Sequence, residues 1–239
     1  MQNKIAIVTG AAKRIGKEIV KHLIQKKWHI IIHYNQSENE AKILQDSLPK
    51  NCSHIIQADF SKTLDEKKFF NEILSLTNGH TPELLINNAS SFKNETITTL
   101  TTESLIEQLQ INCISPLLLS IEFARHTQQG NIINILDFYA IEHHKNFAAH
   151  QISKTALLKA TKQMALEFAP AIRANGITPS FVMKSILQTT ENFDNHIKNS
   201  LFNKAVDTSD ICNAIDFILN TKSVTGQNII LDCGRKLIT

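Results

Sequence analysis

Short apolar runs rich in β-branched residues alternate with longer segments along the whole chain. The runs are KIAIVT at 4–9, WHIIIH at 28–33 and, further on, SHIIQA, ELLINN, NIINIL, IRANGIT and QNIILD. Between the first two runs, apolar side chains recur at helical spacing, at Ile19, Val20, Leu23 and Ile24. Neighbouring parallel strands need a crossover between them, and that crossover is usually a helix. The alternation therefore predicts a doubly wound α/β fold, in which one parallel sheet carries helices on both faces.

The chain is expected to form a single domain over residues 1–239. It is 42% hydrophobic and 20% charged, which is enough to bury a core and excludes general disorder. We find no Gly/Ser/Pro-rich linker, internal repeat or low-complexity segment that would mark a second domain. The segment at about 181–206 mixes apolar and polar residues without a clear strand. It is either a flap that covers substrate or an ordinary surface helix and loop.

Charge and cysteine content exclude several classes of protein. The net charge of +3 comes from dispersed Lys and Arg, which gives little support to nucleic-acid binding. There is no signal-peptide pattern, and no apolar stretch approaches the roughly 18 residues of a membrane span, so we expect a cytoplasmic protein without membrane partners. The four cysteines form no CxxC pair, which predicts free thiols in a reducing compartment. The cluster His143, His144 and His150 fits no metal-binding pattern, so no metal site is expected.

The first strand is followed by TGAAKRIG at 9–16, where the first helix should begin. Doubly wound, Rossmann-like folds bind a dinucleotide pyrophosphate at this turn, because unpaired helix N–H groups point at it. One glycine can supply the tight turn, and the other lets helix and strand pack closely. A merely structural turn is the alternative. The residues predicted to contact the cofactor here are Gly10, Lys13, Arg14, Ile15 and Gly16.

Cofactor choice in such folds depends on the end of the second strand. An acid there accepts bonds from the ribose 2′-hydroxyl and repels a 2′-phosphate. No acid precedes Glu38, and two cations lie in the neighbouring turn, so NADP(H) is favoured over NAD. No Arg is present at this strand end to bind a phosphate bidentately. The residues assigned to this end of the cofactor are His33, Tyr34, Asn35, Gln36 and Ser37.

Several further motifs give the chain a family resemblance. The turn, Asp59 in QADF, the sequence NNA at 87–89, Asn112 and Lys154 occur in the order and spacing of the short-chain dehydrogenase/reductase family. The similarity covers essentially the whole chain. Within that family the chain is most similar to the pteridine reductases and bacterial dihydromonapterin reductases. Three features carry this: Arg14 where most relatives have a glycine, NNASSF at 87–92, and Asp137 in place of the usual serine.

The resemblance implies roles for individual residues. Arg14 would contact the cofactor phosphates and the pterin, Ser90 would line the nicotinamide pocket, and Phe92 would stack on the pterin ring or, alternatively, fill the core. Asp59 would hold the adenine end or cap a helix before Ser61. Asn112 would anchor a water of the proton relay at a local break in its helix. The other positions that the resemblance assigns to the cofactor are Asn88, Ala89, Lys154, Pro179 and Ser180.

The catalytic position departs from the family pattern. Short-chain reductases pair a tyrosine with a lysine four residues later, on one helix face. Here His150 precedes Lys154, and the 13-residue interval from Asp137 matches the family's serine-to-tyrosine interval. Three hypotheses follow: His150 and Asp137 form the proton relay of a working reductase, Tyr139 replaces the missing tyrosine, or the site binds ligands without efficient turnover.

The resemblance therefore implies an NADPH-dependent reductase of a small-molecule pterin or folate, converting the dihydro form to the tetrahydro form. Its altered catalytic set would be Asp137, His150, Lys154 and Asn112, and its substrate contacts Arg14, Ser90, Phe92, Asp137 and His150. A catalytically weak cofactor- or pterin-binding protein of the same fold is one alternative. A reductase of another carbonyl compound is the other. The family also implies a homo-oligomer, either a tetramer or a dimer.

Overall fold

The fold is built on one parallel sheet. The computed structural model describes residues 4–184, 189–198 and 200–238. Within these residues the strands are β1 (Ile5–Val8), β2 (His29–Tyr34), β3 (Ser53–Gln57), β4 (Leu84–Asn87), β5 (Gly130–Ile135), β6 (Ile172–Pro179) and β7 (Asn228–Leu231). Across this described part, the seven strands pair in parallel in the order β3-β2-β1-β4-β5-β6-β7. Each of these strands matches one of the seven apolar runs to within one residue at either end, so the predicted parallel sheet is confirmed.

Helices cover both faces of the sheet. They are α1 (Arg14–Gln25), α2 (Glu38–Asp46), α3 (Glu66–Leu76), α4 (Thr102–Leu109), α5 (Ser115–His126), α6 (Ala148–Glu167), α7 (Thr190–Lys198) and α8 (Thr208–Asn220). Alternate residues of β1 enter two separate cores: Ala6 packs in the cluster that includes α1 and α8, while Ile7 packs in the cluster that includes α3, α5 and α6. Side chains alternate across a strand, so a strand covered on both sides must be apolar throughout. The doubly wound α/β architecture is confirmed.

The strand order reverses between β1 and β4. The chain winds outward through β2 and β3 and then returns to place β4 on the other side of β1. At such a switch point the loops after adjacent strands separate and leave a crevice at the carboxyl ends. The turn that begins at Thr9 and the NNA sequence at 87–89 therefore meet at one edge of the sheet.

The long helical segment before β5 contains a local break. Between α4 and α5, residues Gln110–Ile114 form a π-helical turn, and Asn112 lies in it, completely buried. Such turns are rare and are frequent at functional sites. The expected break in the helix around Asn112 is confirmed.

Helix α7 occupies part of the segment at about 181–206. Residues 185–188 and 199 of that segment lie outside the described residues. Within the part of the chain that is described, no helix is both long and apolar enough to cross a membrane.

Candidate active site

A cleft of about 1050 Å³ lies at the carboxyl ends of the central strands. Every residue that the sequence assigned to cofactor or substrate lines this cleft, as do Asp137, His150 and Lys154. Asn112 is buried behind its wall. The predicted site residues are thus collected in one place, although they come from positions spread over most of the chain.

The turn after β1 is tied to the loop after β4 by hydrogen bonds. Gly10 has a φ of +60°, and a Cβ there would lie 2.8 Å from the Cα of Ala89. The Thr9 hydroxyl accepts bonds from the backbone N–H groups of Asn88 and Ala89, at 2.9 and 3.0 Å. The Asn88 amide donates back to the carbonyls of Thr9 and Gly10, at 2.9 and 3.0 Å. Both loops therefore form one rigid floor for the cleft.

The N-terminus of α1 suits a pyrophosphate. Its N-cap residue, Lys13, makes no side-chain capping bond, and the first turn carries no acid. At Gly16, a Cβ would meet the Gly10 carbonyl oxygen and would lie 2.8 Å from the Cα of Ala11, so the helix approaches the strand too closely for a side chain. Uncapped N–H groups beside a glycine turn are the features with which doubly wound folds bind the phosphates of a dinucleotide.

Arg14 begins α1 with a left-handed backbone, at a φ of +54°. A non-glycine residue in this conformation costs about 1–2 kcal/mol, so its side chain must matter here. The guanidinium donates to the carbonyls of Met183 and Lys184, at 3.1 and 2.9 Å. Arg14 thus joins the phosphate turn to the start of the predicted flap.

Asp59 organises the opposite end of the cleft. Its Oδ1 accepts bonds from Asn35 Nδ2 at 3.1 Å, and from the Ser61 hydroxyl and backbone N–H at 2.7 and 3.0 Å. The bond from the Ser61 hydroxyl is the largest cause of a pKa below the ordinary value of the Asp59 carboxyl. The alternative of a helix cap is wrong, because the next helix starts only after Asp65, which caps it.

Lys13 has an acidic partner that sequence reasoning missed. Its Nζ lies 3.2 Å from Oε1 of Glu40, on α2, and both side chains are about half exposed. An exposed ion pair of this kind is worth about 0–1 kcal/mol, so an anionic ligand group competes with it easily. Residues 33–37 include no acid, but the Glu40 carboxylate lies close by, at Lys13.

His33 was predicted to contact the cofactor, yet both of its ring nitrogens are used within the protein. Nδ1 accepts a bond from the Gly10 N–H at 3.1 Å, and Nε2 lies 3.1 Å from the Ala58 carbonyl. The ring stacks on Phe60 with centroids 4.2 Å apart. Burial lowers the pKa of His33 to about 4, so the ring is neutral at physiological pH. His33 therefore fixes the glycine turn and presents no charge to a phosphate.

Acid should destabilise the fold through His33. Its pKa is about 4 when folded and about 6.5 when unfolded, so between these values the unfolded chain binds the extra proton. The free energy of unfolding should therefore fall as the pH drops below 6.5, by about 2 kcal/mol at pH 5. Urea unfolding at pH 7 and pH 5 measures this loss. In His33→Gln the same comparison should give a loss smaller by about 2 kcal/mol; an equal loss would contradict the assignment.

Three side chains form the predicted catalytic group. His150 and Lys154 lie one turn apart on α6, both buried. The His150 Nε2 is 3.7 Å from Oδ2 of Asp137, and its Nδ1 is 3.1 Å from the Ser91 carbonyl oxygen. Lys154 Nζ donates to the Ile135 carbonyl at 2.8 Å. The imidazole is therefore held between a carboxylate and a carbonyl.

The charged groups of this site shift one another's pKa values. Burial opposes ionisation of Asp137, but the nearby His150, the Tyr139 N–H bond and the charge of Lys154 together outweigh it and keep the pKa of that carboxyl below its ordinary value. Burial lowers the pKa of Lys154 to about 8, against the opposing charge of Asp137. The His150 Nδ1 faces both the Ser91 carbonyl oxygen at 3.1 Å and the Asn112 Nδ2 at 3.5 Å, while Nε2 faces the Asp137 carboxylate.

Asn112 acts on this group through the loop after β4. Its Oδ1 accepts bonds from the Ser90 hydroxyl at 3.0 Å and the Ser91 N–H at 2.9 Å. Its Nδ2 donates to the Ser91 carbonyl at 2.8 Å and to the Ser153 hydroxyl at 3.0 Å. Both polar atoms of the amide are thus bonded to protein. In this structure Asn112 positions the Ser91 carbonyl, which in turn faces His150.

Two aromatic side chains, Phe92 and Phe147, line the cleft beside the catalytic group, and we call them the aromatic wall. The Phe92 side chain is 41% exposed, so the alternative that it fills the core is wrong. Its ring meets the edges of Phe147 and His150, with centroids 5.8 and 5.9 Å away. Phe147, which sequence reasoning missed, has a φ of +63° at the start of α6. The signal available was an aromatic residue directly before a predicted helix.

Comparison with known proteins agrees with the geometry. A family model of short-chain reductases, described as enoyl-(acyl carrier protein) reductase, matches residues 10–236. The chain belongs to the short-chain dehydrogenase/reductase family. Membership makes it an oxidoreductase, in a family that uses nicotinamide dinucleotides.

Relatives in this short-chain reductase family are similar over almost their full length. Dihydromonapterin reductase of Escherichia coli (strain SMS-3-5 / SECEC) is 28% identical over 236 residues, 97% of this chain and 96% of that one. The crystal structure of FolM alternative dihydrofolate reductase 1 from Brucella canis, complexed with NADP, has a TM-score of 0.93 at 27% identity and covers 99% of this chain and 95% of that one. The Brucella suis protein in complex with NADP has the same TM-score and identity, with 96% of its chain covered.

Proposed function

We propose that this protein is an NADPH-dependent reductase that converts a dihydropterin, dihydromonapterin or dihydrofolate to its tetrahydro form. The observation that carries the proposal is the imidazole of His150, held between Asp137 and the Ser91 carbonyl and directly beside the exposed ring of Phe92. It places a proton donor next to a surface that suits a flat heterocycle. The names of the relatives, one a dihydromonapterin reductase and two dihydrofolate reductases, support the same substrate class.

The cleft has the parts that NADPH needs. The uncapped start of α1 would hold the pyrophosphate, Asp59 and Asn35 the adenosine end, and Lys13 the 2′-phosphate. Ser90 would line the nicotinamide end. When bound, NADPH supplies the hydride.

The protein's own task is to deliver a proton to the ring nitrogen that the reduction leaves electron-rich. Protonated His150 donates it from Nε2, the nitrogen that faces Asp137 across 3.7 Å. The ionised carboxylate stabilises the imidazolium before transfer. Afterwards the Ser91 carbonyl retains the hydrogen on Nδ1 and holds the neutral ring in one tautomer. The Lys154 ammonium adds positive charge that helps to keep Asp137 ionised.

An imine nitrogen requires less assistance than a ketone. Its reduction produces an amine rather than an alkoxide, so a positioned side chain other than tyrosine can supply the proton. A histidine in place of the family's tyrosine is therefore compatible with pterin chemistry.

A second candidate function is binding of cofactor or pterin without efficient turnover. The observation that favours it is the 3.7 Å separation of His150 Nε2 from Asp137, which is longer than a hydrogen bond. Such a protein would keep the phosphate turn and the aromatic wall but would transfer the proton poorly.

A substrate panel separates these functions. We expect NADPH oxidation to depend on a dihydropterin or dihydrofolate, with a tetrahydro product detected by chromatography. Ketones, oxoacyl thioesters and enoyl thioesters should give rates at least about tenfold lower, because they present no flat ring to Phe92. NADPH binding in a calorimeter without turnover of any compound would select the second candidate. Faster turnover of a thioester or ketone would reject the pterin assignment.

The proposal places the protein in the cytoplasm as a homo-oligomer, either a tetramer or a dimer. All four cysteines are free thiols, which suits a reducing compartment. Exposed apolar side chains at Ile114, Leu118 and Ile152, on the segment from the π-helical turn into α5 and on α6, would suit contact between subunits.

A further inference from the structure

Arg235, just after β7, is buried behind the wall of the cleft. Only 8% of its surface is exposed. Its guanidinium carbon lies 4.5 Å from the ring centres of Phe138 and Phe181 and 5.4 Å from that of Tyr139. A cation enclosed by three aromatic rings is desolvated, and each ring contributes a cation–π attraction. Arg235 thus holds the side chains of Tyr139 and Phe181 as a unit.

The guanidinium also donates hydrogen bonds to two hydroxyl groups that border these rings. Nη2 donates to the Tyr139 hydroxyl oxygen and Nη1 to the Ser180 hydroxyl, each at 3.3 Å. A guanidinium has donors only, so the Tyr139 oxygen must accept. The phenolic hydrogen of Tyr139 is therefore left for a different acceptor, and the described part of the chain shows none for it. Accepting from a cation also makes the phenol a stronger donor.

Tyr139 lines the same cleft as the aromatic wall. Its ring stacks against Phe147 at 6.5 Å with an interplanar angle of 19°, and Phe147 meets Phe92 edge to face. The backbone N–H of Tyr139 donates to Asp137 Oδ1 at 2.8 Å, which fixes the residue relative to the catalytic group. Phe92 and Tyr139 therefore line one pocket. A planar ligand that stacks on Phe92 would point one edge toward the Tyr139 side of that pocket.

We infer that Tyr139 is a specificity-determining residue, which donates its O–H to an acceptor on the edge of a bound planar heterocycle. Arg235 is the positioning residue that holds the phenol and directs its hydrogen away from itself. The inference rests on the proposed function, since it takes a pterin-class ring, with carbonyl and ring-nitrogen acceptors, as the ligand. Arg235 does not bind the ligand's own charged groups, because it lies behind the aromatic rings.

The test combines kinetics with direct binding. In Tyr139→Phe, which removes only the hydroxyl, KM for the dihydropterin should rise about tenfold, the effect of one lost hydrogen bond, with kcat within about twofold. The Kd of oxidised pterin for the protein loaded with NADP should rise by the same factor. Arg235→Met should reproduce both changes, and Arg235→Lys should restore them in part. The double variant should be no worse than Tyr139→Phe, because both changes act through one hydroxyl.

Lys236→Met is the matched control, since it removes a neighbouring exposed cation that pairs with Glu142. It should leave KM and Kd unchanged. The inference is overturned if Tyr139→Phe leaves both constants at their original values, if its loss is confined to kcat, or if the original protein binds no pterin. If the original protein binds pterin but does not oxidise NADPH, the proposed function fails, whereas the ratio of Kd values still decides the role of Tyr139.

Discussion

Replacing His150 by Phe should lower kcat for dihydropterin reduction by about 10²–10⁴-fold, the usual contribution of a positioned proton donor. Phe fills a similar volume in the buried position on α6 but carries no proton. The Kd for NADPH should stay within about twofold, because the residues proposed to hold the phosphates lie around the first turn of α1. Steady-state kinetics and calorimetry measure the two quantities.

His143→Phe is the control for this variant. His143 lies in the loop before α6 and is exposed, so its replacement should leave kcat unchanged. Unaltered turnover in His150→Phe would show that His150 is not the proton donor. A loss of NADPH binding in that variant would indicate a structural role for His150 instead.

Replacing Gly10 by Ala should abolish the phosphate turn. The φ of +60° strains any side chain, and the added Cβ would lie 2.8 Å from the Cα of Ala89, which is backbone and cannot rotate away. We expect the affinity for NADPH to fall at least about tenfold, a loss of about 1.4 kcal/mol or more. The free energy of unfolding should fall by about 2–4 kcal/mol.

Gly79→Ala separates backbone strain from steric overlap. Gly79 also has a positive φ, of +80°, but a Cβ there would meet nothing within 4 Å. This control should lose only about 1 kcal/mol of stability and should bind NADPH normally. Equal losses of cofactor affinity in both variants would show that the turn at Gly10 does not form the binding site.

The architecture was predictable because it follows from local pattern. Seven apolar runs became seven strands, since a strand covered on both faces leaves little choice of side chain. The spacing of His150 and Lys154 placed both on one face of α6, as helical geometry requires. Gly10 and Gly16 are required by close backbone approach, which a strand–turn–helix sequence already implies.

Contacts between distant segments were not predictable. Arg14 meets carbonyls 169 and 170 residues away, and Arg235 reaches Tyr139 across 96 residues. The sequence does not show which residue either arginine will contact, because a backbone carbonyl or an aromatic ring face is available at many positions. The hydrogen bonds of His33 were unpredictable for a related reason: its position beside the cofactor cleft follows from the sequence, but the contacts that occupy its ring depend on Phe60 and Ala58.

The most direct test of the central claim is a single turnover of the NADPH-loaded protein mixed with dihydromonapterin. Stopped-flow absorbance follows the loss of NADPH, and chromatography quantifies the tetrahydropterin. We expect one tetrahydropterin to form per NADPH consumed, at a rate about 10²-fold or more above that of His150→Phe. Tight binding of both ligands with no loss of NADPH would contradict it and would leave a binding protein on a reductase fold.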